Sequence, residues 1–342
     1  DGVQICNKQK RFILRVIRHF DCWKHCSQQI SQMGDPCRLD SGQNSCHNLV
    51  SMISCKYIFF QRLYKVCLIS LLHHFQKMYF YRLMRFLIII WRIWFYFLSS
   101  IPVLLMFPLL AVLLVFPNGY RPFFWIARNI WSRWVLLGMG FRLKKRFKTT
   151  LDTKKNYLLV ANHSSYIDIM LMFATAPNPF VFVGKKELVK IPFFGYLFKN
   201  AAIMVDRSSS KSRYGVYGRA KKVLEKGYSV CIFPEKDYLD ETILLNPFKQ
   251  GAFKIAIDHQ LPICPMVFLD CKRKFPWKTT HGYPGVLRVD IHPPVPTVGL
   301  TKDDIPELQQ EIYDLIYSEL QNDPLQTAVN AILVWKKATK RN

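Results

Sequence analysis

An uncharged apolar segment, IWFYFLSSIPVLLMFPLLAVLLVF, occupies 24 consecutive positions, 93–116. A helix of this length is long enough to span or embed in the hydrocarbon core of a bilayer. Pro102 and Pro108 each remove a backbone donor, so a kinked pair or re-entrant hairpin is as consistent with the pattern as one straight span. The segment therefore predicts an N-terminal membrane-embedded helical region.

The charge balance points to an anionic partner. The formal net charge is +25, and no acidic residue occurs between Asp40 and Asp152. A strongly basic surface attracts either nucleic acid or anionic membrane lipid. Because a nucleic-acid-binding domain has little use for a long apolar segment, we expect membrane lipid as a partner and no nucleic acid.

The next segment, 121–148, interleaves tryptophans with arginines and ends in a Lys/Arg cluster at 142–148. Aromatic rings at headgroup level and cations facing acidic lipid are typical of an interfacial helix. A buried core helix is the alternative, which the three arginines disfavour. The cations also favour the cytoplasmic side for this segment and for everything downstream, so we expect a membrane protein whose main domain faces the cytoplasm.

Residues 1–77 differ in composition from the rest and hold seven of the ten cysteines and five of the nine histidines. Cys22 and Cys26 enclose His25, but no second pair follows at zinc-finger spacing, so no metal is expected. We interpret 1–77 as a non-native or disordered leader that precedes a natural start at Met78. A genuine but poorly ordered extension is the alternative.

The later cysteines, Cys231, Cys264 and Cys271, lie in or beside apolar runs, which is typical of small buried hydrophobic residues. Nothing in the spacing indicates a disulfide framework, and a reducing compartment fits better.

After Thr150 the pattern becomes that of an α/β domain. Short apolar runs predict buried strands, and helical patterns separate several of them. This alternation predicts a mixed, mostly parallel sheet covered by helices, in which ligands gather at the carboxyl ends of the strands. The predicted strands are 157–161, 180–183, 201–205, 229–233, 263–269 and 286–291, and the predicted helices are 211–226, 249–259 and 303–321.

These patterns divide the chain into four parts. Membrane-embedded and interfacial helices at 78–150 follow the leader, 151–322 forms the α/β domain, and 323–342 forms a C-terminal helical tail.

The stretch NHSSYID, 162–168, follows a predicted strand and places His163 and Asp168 five residues apart. Ser165 and Asp168 also fit a capping box, in which Asp168 only satisfies a backbone N–H, and His163 could be an ordinary loop histidine. If the histidine lies in the turn and the aspartate in the first helical turn, their side chains can converge. The carboxylate would then fix one imidazole tautomer and leave the other nitrogen to take a proton from a substrate hydroxyl.

Further segments follow NHSSYID in a fixed order: GKKELVKIPFFGYLFKNAAIMVDR (184–207), IFPEK (232–236) and LPICPMVF (261–268). Together the four resemble the ordered sequence blocks of the 1-acylglycerol-3-phosphate (lysophosphatidic acid) acyltransferase family. HPPVPTVGLTKDDIPELQQEI (292–312) is similar to the ending of that family, and the likeness covers roughly 80–322. The resemblance implies a membrane-bound α/β acyltransferase.

The resemblance implies roles for individual residues. In that family the first block carries the catalytic histidine and aspartate, which correspond to His163 and Asp168. The second block ends in an arginine that contacts the phosphate of the acceptor, which corresponds to Arg207; a surface ion pair with Asp206 is its alternative. The other substrate-binding candidates are Asn162, Lys185 and Glu235, although Lys185 could be a solvated strand-end charge and Glu235 a helix cap.

The third block departs from the family pattern, which usually reads Phe-Pro-Glu-Gly-Thr. Here Glu235 is kept, but Lys236 replaces the glycine. The glycine would allow the backbone to approach a phosphate closely, whereas a lysine supplies a point charge. Lys236 is therefore predicted to bind substrate, and the identity of the acceptor stays open.

The function implied by the resemblance is transfer of a fatty acyl group to the sn-2 hydroxyl of lysophosphatidic acid, which gives phosphatidic acid. The acyl donor would be acyl-CoA or acyl-carrier protein, with no cofactor and no metal. Another lysophospholipid or an aminolipid is the alternative acceptor. A membrane esterase is disfavoured because no Gly-x-Ser-x-Gly elbow is present. A non-catalytic lipid-binding protein is disfavoured because His163, Asp168, Arg207 and Glu235 occur together.

Overall fold

The computed structural model describes residues 44–176, 178–206, 208–235, 242–277 and 281–327. The chain forms two compact units, Asp1–Arg82 and Leu83–Asn342. Within the first unit the described backbone, from Asn44 onward, is helical. The leader interpretation of 1–77 thus falls largely outside the described residues, and it stays a prediction.

The apolar segment forms one helix that continues through both prolines. Helix α1 is Asn44–Val115, with Pro102 and Pro108 inside it. Its part from Arg82 to Val115 is long and apolar enough to cross a membrane, as judged by length and composition. Most of its large apolar side chains are exposed, for example Leu105 at 78% and Val115 at 71%. Of the two arrangements that the sequence allowed, the structure has the uninterrupted helix.

The segment predicted as one interfacial helix, 121–148, is not a single helix. It contains helix α2 (Tyr120–Ile126), a π-helical turn (Ala127–Trp131), helix α3 (Ser132–Gly138) and strand β1 (Phe141–Phe147). Gly140, at φ +76°, ends the helical part in a left-handed conformation that glycine adopts without strain. The prediction of helix for 142–148 was therefore wrong.

Side-chain alternation explains why the basic run is a strand. Phe141 is buried and Leu143 is partly buried, while the residues between and after them are mostly exposed cations. This period of two suits an edge strand with one face on the core. Because β1 pairs in parallel with β7 along its whole length, the sheet begins before the predicted boundary at 151.

The seven strands form one mixed sheet in the order β1-β7-β6-β2-β5-β3-β4. All six predicted strands are present, and the prediction of a mixed, mostly parallel α/β fold is confirmed. The remaining strands are β2 Leu158–Ala161, β3 Phe180–Lys185, β4 Ile203–Val205, β5 Ser229–Ile232, β6 Ile263–Phe268 and β7 Gly285–Ile291.

Strand direction determines where a site can form. β2 pairs in parallel with β5 and β6, and β3 pairs in parallel with β5 and β4. β7 runs antiparallel to β6. The carboxyl ends of β6, β2, β5, β3 and β4 therefore meet at the same edge of the sheet, where ligands bind in such folds.

Helices cover both faces of the sheet, and alternate strand residues supply the two cores. Leu159 and Cys264 point into one core with Phe95 and Leu98 of α1. Leu158 and Ile263 point into the other. The covering helices are α4 Ile167–Thr175, α5 Phe194–Ala201, α6 Ser210–Glu225, α7 Gly251–Asp258, α8 Cys271–Lys274 and α9 Ile305–Gln321, with 3-10 turns at Lys186–Lys190, Lys302–Asp304 and Pro324–Thr327.

The three helices predicted from the sequence correspond to α6, α7 and α9, with ends shifted by two residues or fewer. Most of the predicted C-terminal tail, from 328 onward, lies outside the described residues. Cys231, Cys264 and Cys271 are free and buried, as expected for small core residues.

Candidate active site

His163 and Asp168 meet directly after β2. The Nδ1 atom of His163 lies 2.9 Å from Oδ2 of Asp168. The same carboxylate oxygen accepts hydrogen bonds from the backbone N–H groups of Ser164 (2.7 Å) and Ser165 (2.8 Å). Asp168 therefore stabilises the start of α4 and also contacts the imidazole, so the two alternatives raised by the sequence are not exclusive.

The contacts of Asp168 determine which tautomer the neutral imidazole adopts. Its Oδ2 atom accepts two backbone N–H groups, so it has no hydrogen to donate and Nδ1 of His163 must carry the proton. The other nitrogen, Nε2, forms no hydrogen bond within the described residues and presents its lone pair. The side chain of Asp168 is fully buried, whereas that of His163 is 22% exposed. A buried carboxylate that orients a partly exposed imidazole is an arrangement suited to general-base chemistry.

Two aromatic rings enclose the imidazole. The ring of Phe233 stacks on it with a centroid separation of 4.1 Å and an interplanar angle of 13°. The ring of Trp277 meets it edge-on at 4.7 Å and 89°. These contacts restrict rotation of the His163 side chain and remove part of the surrounding water.

Glu235 braces the loop that carries His163. One carboxylate oxygen, Oε1, accepts the backbone N–H of His163 at 2.5 Å. The other, Oε2, accepts the backbone N–H and the side-chain amide of Asn246 at 3.1 and 2.7 Å. Burial raises the pKa of the Glu235 carboxyl, and the three hydrogen bonds oppose that shift. Since both oxygens are engaged, Glu235 has an evident positioning role; its predicted contact with substrate stays a prediction.

Asn162 joins two strands at the same edge. Its side-chain amide donates to the carbonyl of Phe268 (3.0 Å) and accepts the backbone N–H of Phe268 (2.8 Å). The residue is buried, and its amide holds the end of β2 against the end of β6. A substrate-binding role for Asn162 remains a prediction.

The remaining predicted residues follow β3, β4 and β5. Lys185 is exposed and is the last residue of β3. Arg207 and Lys236 lie outside the described residues, although the strands that precede them end at Val205 and Ile232. Of the seven predicted residues, the five that the structure describes lie at one edge of the sheet, at or after the ends of β2, β3 and β5.

Cys231, Cys264 and Cys271 are poor candidates for a covalent nucleophile. Burial raises the pKa of the Cys231 thiol, and that of Cys264 to about 12. Burial also raises the pKa of the Cys271 thiol, and the nearby Asp168 carboxylate adds to the effect. These thiols therefore stay protonated near neutral pH and do not form the thiolate that nucleophilic catalysis needs.

One group of described side chains has the composition of a cation site. Donor atoms of Asp290, His292 and Glu319 lie within 4.8 Å of one another. However, Arg146 donates to both oxygens of Asp290 at 2.5 and 2.7 Å, and Lys148 pairs with Glu319. Two protein cations thus already balance the carboxylates. The group lies around β7, where Asp290 pairs with Val267 of β6.

Sequence reasoning did not identify Phe233, Asn246 or Trp277 as parts of the site. Phe233 lies inside the third sequence block, directly before Pro234 and Glu235, so its position gave a usable signal. Asn246 and Trp277 lie between the blocks, and only the folded chain brings them to His163 and Glu235.

Comparison with known proteins gives the class of the domain first. Residues 142–269 match the family model described as Acyltransferase. The fold is similar to that of the 1-acyl-sn-glycerophosphate acyltransferase PlsC from Thermotoga maritima, known from its crystal structure. The TM-score is 0.58 at 18% sequence identity, covering 68% of this chain and 94% of that one. The match to the family model thus identifies an acyltransferase domain.

Sequence relatives give the particular family. The chain is 31% identical over 193 residues to the mouse 1-acyl-sn-glycerol-3-phosphate acyltransferase alpha, covering 54% of this chain and 67% of that protein. It is 31% identical over 175 residues to the human alpha protein, covering 51% of this chain and 62% of that protein. A Saccharomyces cerevisiae relative is 28% identical over 210 residues, covering 60% and 69%. The chain belongs to the 1-acyl-sn-glycerol-3-phosphate acyltransferase family.

The match to the human relative thus spans less than two thirds of that protein's length.

Proposed function

We propose that this protein is a membrane O-acyltransferase that moves a fatty acyl group from a thioester donor to the sn-2 hydroxyl of lysophosphatidic acid. The product is phosphatidic acid, and the donor is acyl-CoA or acyl-carrier protein. The observation that carries the proposal is the 2.9 Å contact between Nδ1 of His163 and Oδ2 of Asp168. This contact leaves Nε2 as a base at the edge of the sheet where the carboxyl ends of five parallel strands meet.

In the first step, Nε2 of His163 takes the proton of the acceptor hydroxyl while the hydroxyl oxygen attacks the thioester carbonyl carbon. A tetrahedral intermediate forms, and the imidazole becomes an imidazolium. The Asp168 carboxylate stabilises this cation through its bond to Nδ1. The substrate hydroxyl takes the place that a serine has in hydrolases, so the protein needs no nucleophile of its own.

In the second step the intermediate collapses. The carbon–sulfur bond breaks, the ester of the acceptor forms, and the imidazolium returns its proton to the leaving thiolate. The donor thus leaves as a free thiol and His163 is again neutral. Glu235 holds the backbone of His163 throughout, and Lys185, Arg207 and Lys236 supply cations for the acceptor phosphate.

The apolar helix anchors the enzyme to the membrane that holds its acceptor. Its part from Arg82 to Val115 has the length and composition to cross a bilayer, and Trp125 and Trp134 beyond it are more than half exposed. Aromatic rings and cations of this kind favour the headgroup region. The excess of cations after the apolar helix favours the cytoplasmic side for the catalytic domain.

An acyl-transfer assay on the purified full-length chain tests the proposal. We expect wild-type protein to convert lysophosphatidic acid and oleoyl-CoA or oleoyl-acyl-carrier protein into phosphatidic acid, and His163→Ala to lose this activity by at least about a thousandfold while its melting temperature changes little. The matched control variant is Asp304→Asn, which changes a carboxylate that bonds to Thr301 in the turn before α9.

Two results would contradict the proposal. Hydrolysis of the donor at an equal rate with and without acceptor would indicate an esterase. Equal or faster acylation of lysophosphatidylcholine, lysophosphatidylethanolamine or an aminolipid would assign a different acceptor, which the unusual Lys236 keeps open.

A further inference from the structure

Arg92, on the apolar helix α1, binds a segment of the α/β domain. Its Nη2 atom donates to the carbonyls of Pro276 (2.7 Å) and Trp277 (3.3 Å). Its Nη1 atom donates to the carbonyl of His281 at 3.4 Å. One guanidinium therefore holds three backbone carbonyls that follow α8. It is also the last charged residue before the uncharged run at 93–116.

An aromatic contact also restrains the guanidinium of Arg92. Its carbon lies 4.5 Å from the centroid of the Phe275 ring, within the range of a cation–π contact. The Phe275 carbonyl in turn accepts the hydroxyl hydrogen of Ser165, which lies in the loop after β2. The segment that begins at Phe275 is thus tied to α1 on one side and to the His163 loop on the other.

The same segment carries the ring that meets the imidazole. Trp277, whose carbonyl bonds to Arg92, packs edge-on against His163 at 4.7 Å. Its ring also stacks on Tyr166 at 5.6 Å, and Tyr166 contacts Phe95 and Tyr96 of α1. A continuous set of contacts therefore joins the apolar helix to the imidazole.

We propose that Arg92 is a positioning residue for catalysis, which acts by fixing the backbone of Trp277 so that the indole closes one side of the His163 imidazole. This role rests on the acyl transfer proposed above. Neither Arg92 nor Trp277 lies in the range 142–269 that matches the family model. The apolar helix thus has a part in the geometry of the active site in addition to membrane attachment.

The chemistry of the side chain supports this role. Three carbonyls spread over Pro276 to His281 need several donors in fixed directions, and a guanidinium supplies five N–H donors in a rigid plane. A lysine at this position offers one mobile ammonium, which reaches fewer carbonyls. A small displacement of a catalytic base lowers a rate steeply, since misplacement by about 1 Å costs up to about a hundredfold.

A double-mutant cycle tests whether Arg92 acts through Trp277. We expect Arg92→Gln and Trp277→Leu each to lower kcat by between about tenfold and a hundredfold, with KM for the acyl donor within about twofold of wild type. The double variant should be no slower than Trp277→Leu alone, because both changes disturb the same contact. Arg92→Lys should retain more of the wild-type kcat than Arg92→Gln. Arg82 is an exposed arginine earlier in the same helix, and Arg82→Gln should leave kcat unchanged.

An NMR measurement gives a readout that is independent of activity. The ring current of Trp277 shifts the imidazole signal of His163, which is assigned by its absence in His163→Ala. We expect Arg92→Gln and Arg92→Lys to move this signal in the same direction as Trp277→Leu. If Arg92→Gln does not fold, Arg92→Lys carries both measurements.

The outcomes separate the two proposals. Multiplicative losses in the double variant, or an unmoved His163 signal in the Arg92 variants, would overturn the positioning role. Wild-type protein that acylates no lysophosphatidic acid would overturn the proposed function, while the NMR result would still decide whether Arg92 holds Trp277 against the imidazole.

Discussion

At the scale of single residues, Asp168 has a structural task and, in the proposed mechanism, a chemical one. Its Oδ2 atom accepts three N–H groups, two from the backbone and one from His163. The sequence predicted both possibilities but not their combination, because spacing alone does not say which donors a carboxylate faces. Only the turn after β2 directs the imidazole and the two backbone N–H groups to one oxygen.

The substitution Asp168→Asn separates the two tasks. The amide oxygen of asparagine can still accept the backbone N–H groups of Ser164 and Ser165, so we expect a loss of stability of about 1 kcal/mol or less. The amide no longer holds the imidazolium with a negative charge, so kcat should fall by roughly a thousandfold or more. Thermal unfolding and turnover of the same preparation provide the measurement, and near-wild-type turnover would show that Asp168 only caps the helix.

Arg207, known here from sequence alone, is predicted to bind the acceptor phosphate. Its planar guanidinium suits two phosphate oxygens. The substitution Arg207→Ala should raise KM for lysophosphatidic acid more than KM for the donor. The loss in specificity for this acceptor should be about 2–4 kcal/mol. Steady-state kinetics with lysophosphatidic acid and with phosphate-free monoacylglycerol test this, and equal losses on both acceptors would remove the phosphate assignment. Lys236→Gly in the same assay shows whether the lysine contributes.

At the scale of elements, close packing explains why the second sequence block has a glycine at position 195. Gly195 lies in α5, Phe194–Ala201. A Cβ at this position would lie 2.0 Å from the carbonyl oxygen of Val189. Backbone contacts of this kind cannot be relieved by side-chain rotation, so the 3-10 turn Lys186–Lys190 and α5 must separate if a side chain is added.

The substitution Gly195→Ala should therefore destabilise the protein by about 2–3 kcal/mol, in the range of other overpacking changes. It should also weaken acceptor binding, since α5 links Lys185 to β4. The matched control is Gly218→Ala in α6, where a new Cβ meets nothing within 4 Å. There we expect a gain of up to about 1 kcal/mol from helix propensity. Chemical unfolding of both variants checks the pair, and similar stabilities for the two would refute the packing argument.

At the scale of the whole molecule, a buried ion network connects β6, β7 and the end of α9. Arg288 donates to Asp270 and Asp323, each at 2.7 Å. Burial alone would raise the pKa of Asp270, but hydrogen bonds and the charge of Arg288, with a further bond from Arg273, outweigh it and hold that pKa below its ordinary value. Segments that are distant in sequence are thereby joined by one charged group.

This network makes stability depend on pH. A carboxyl whose pKa is lowered on folding stabilises the protein above its unfolded pKa, and the contribution is lost as the pH falls through the folded pKa. We expect Asp270→Asn to cost about 3 kcal/mol near pH 7, because it leaves Arg288 without one of its buried partners. The difference from wild type should shrink as the pH falls below the ordinary value of 3.8. Urea unfolding from pH 7 to pH 2.5 measures this, with the exposed Asp258→Asn as control; a constant difference would contradict it.

By itself the sequence determined the apolar helix, six of the seven strands and the family, because these depend on local periodicity and on short ordered motifs. It placed His163, Asp168 and Glu235 correctly after strands β2 and β5. It missed β1, since a basic run beside an apolar segment has the same composition in an interfacial helix and in an edge strand. Only pairing with β7, more than a hundred residues away, decides between them. The contacts of Trp277 with His163 and of Arg92 with the Trp277 backbone likewise depend on the tertiary structure, because no local pattern encodes a meeting of side chains from separate elements.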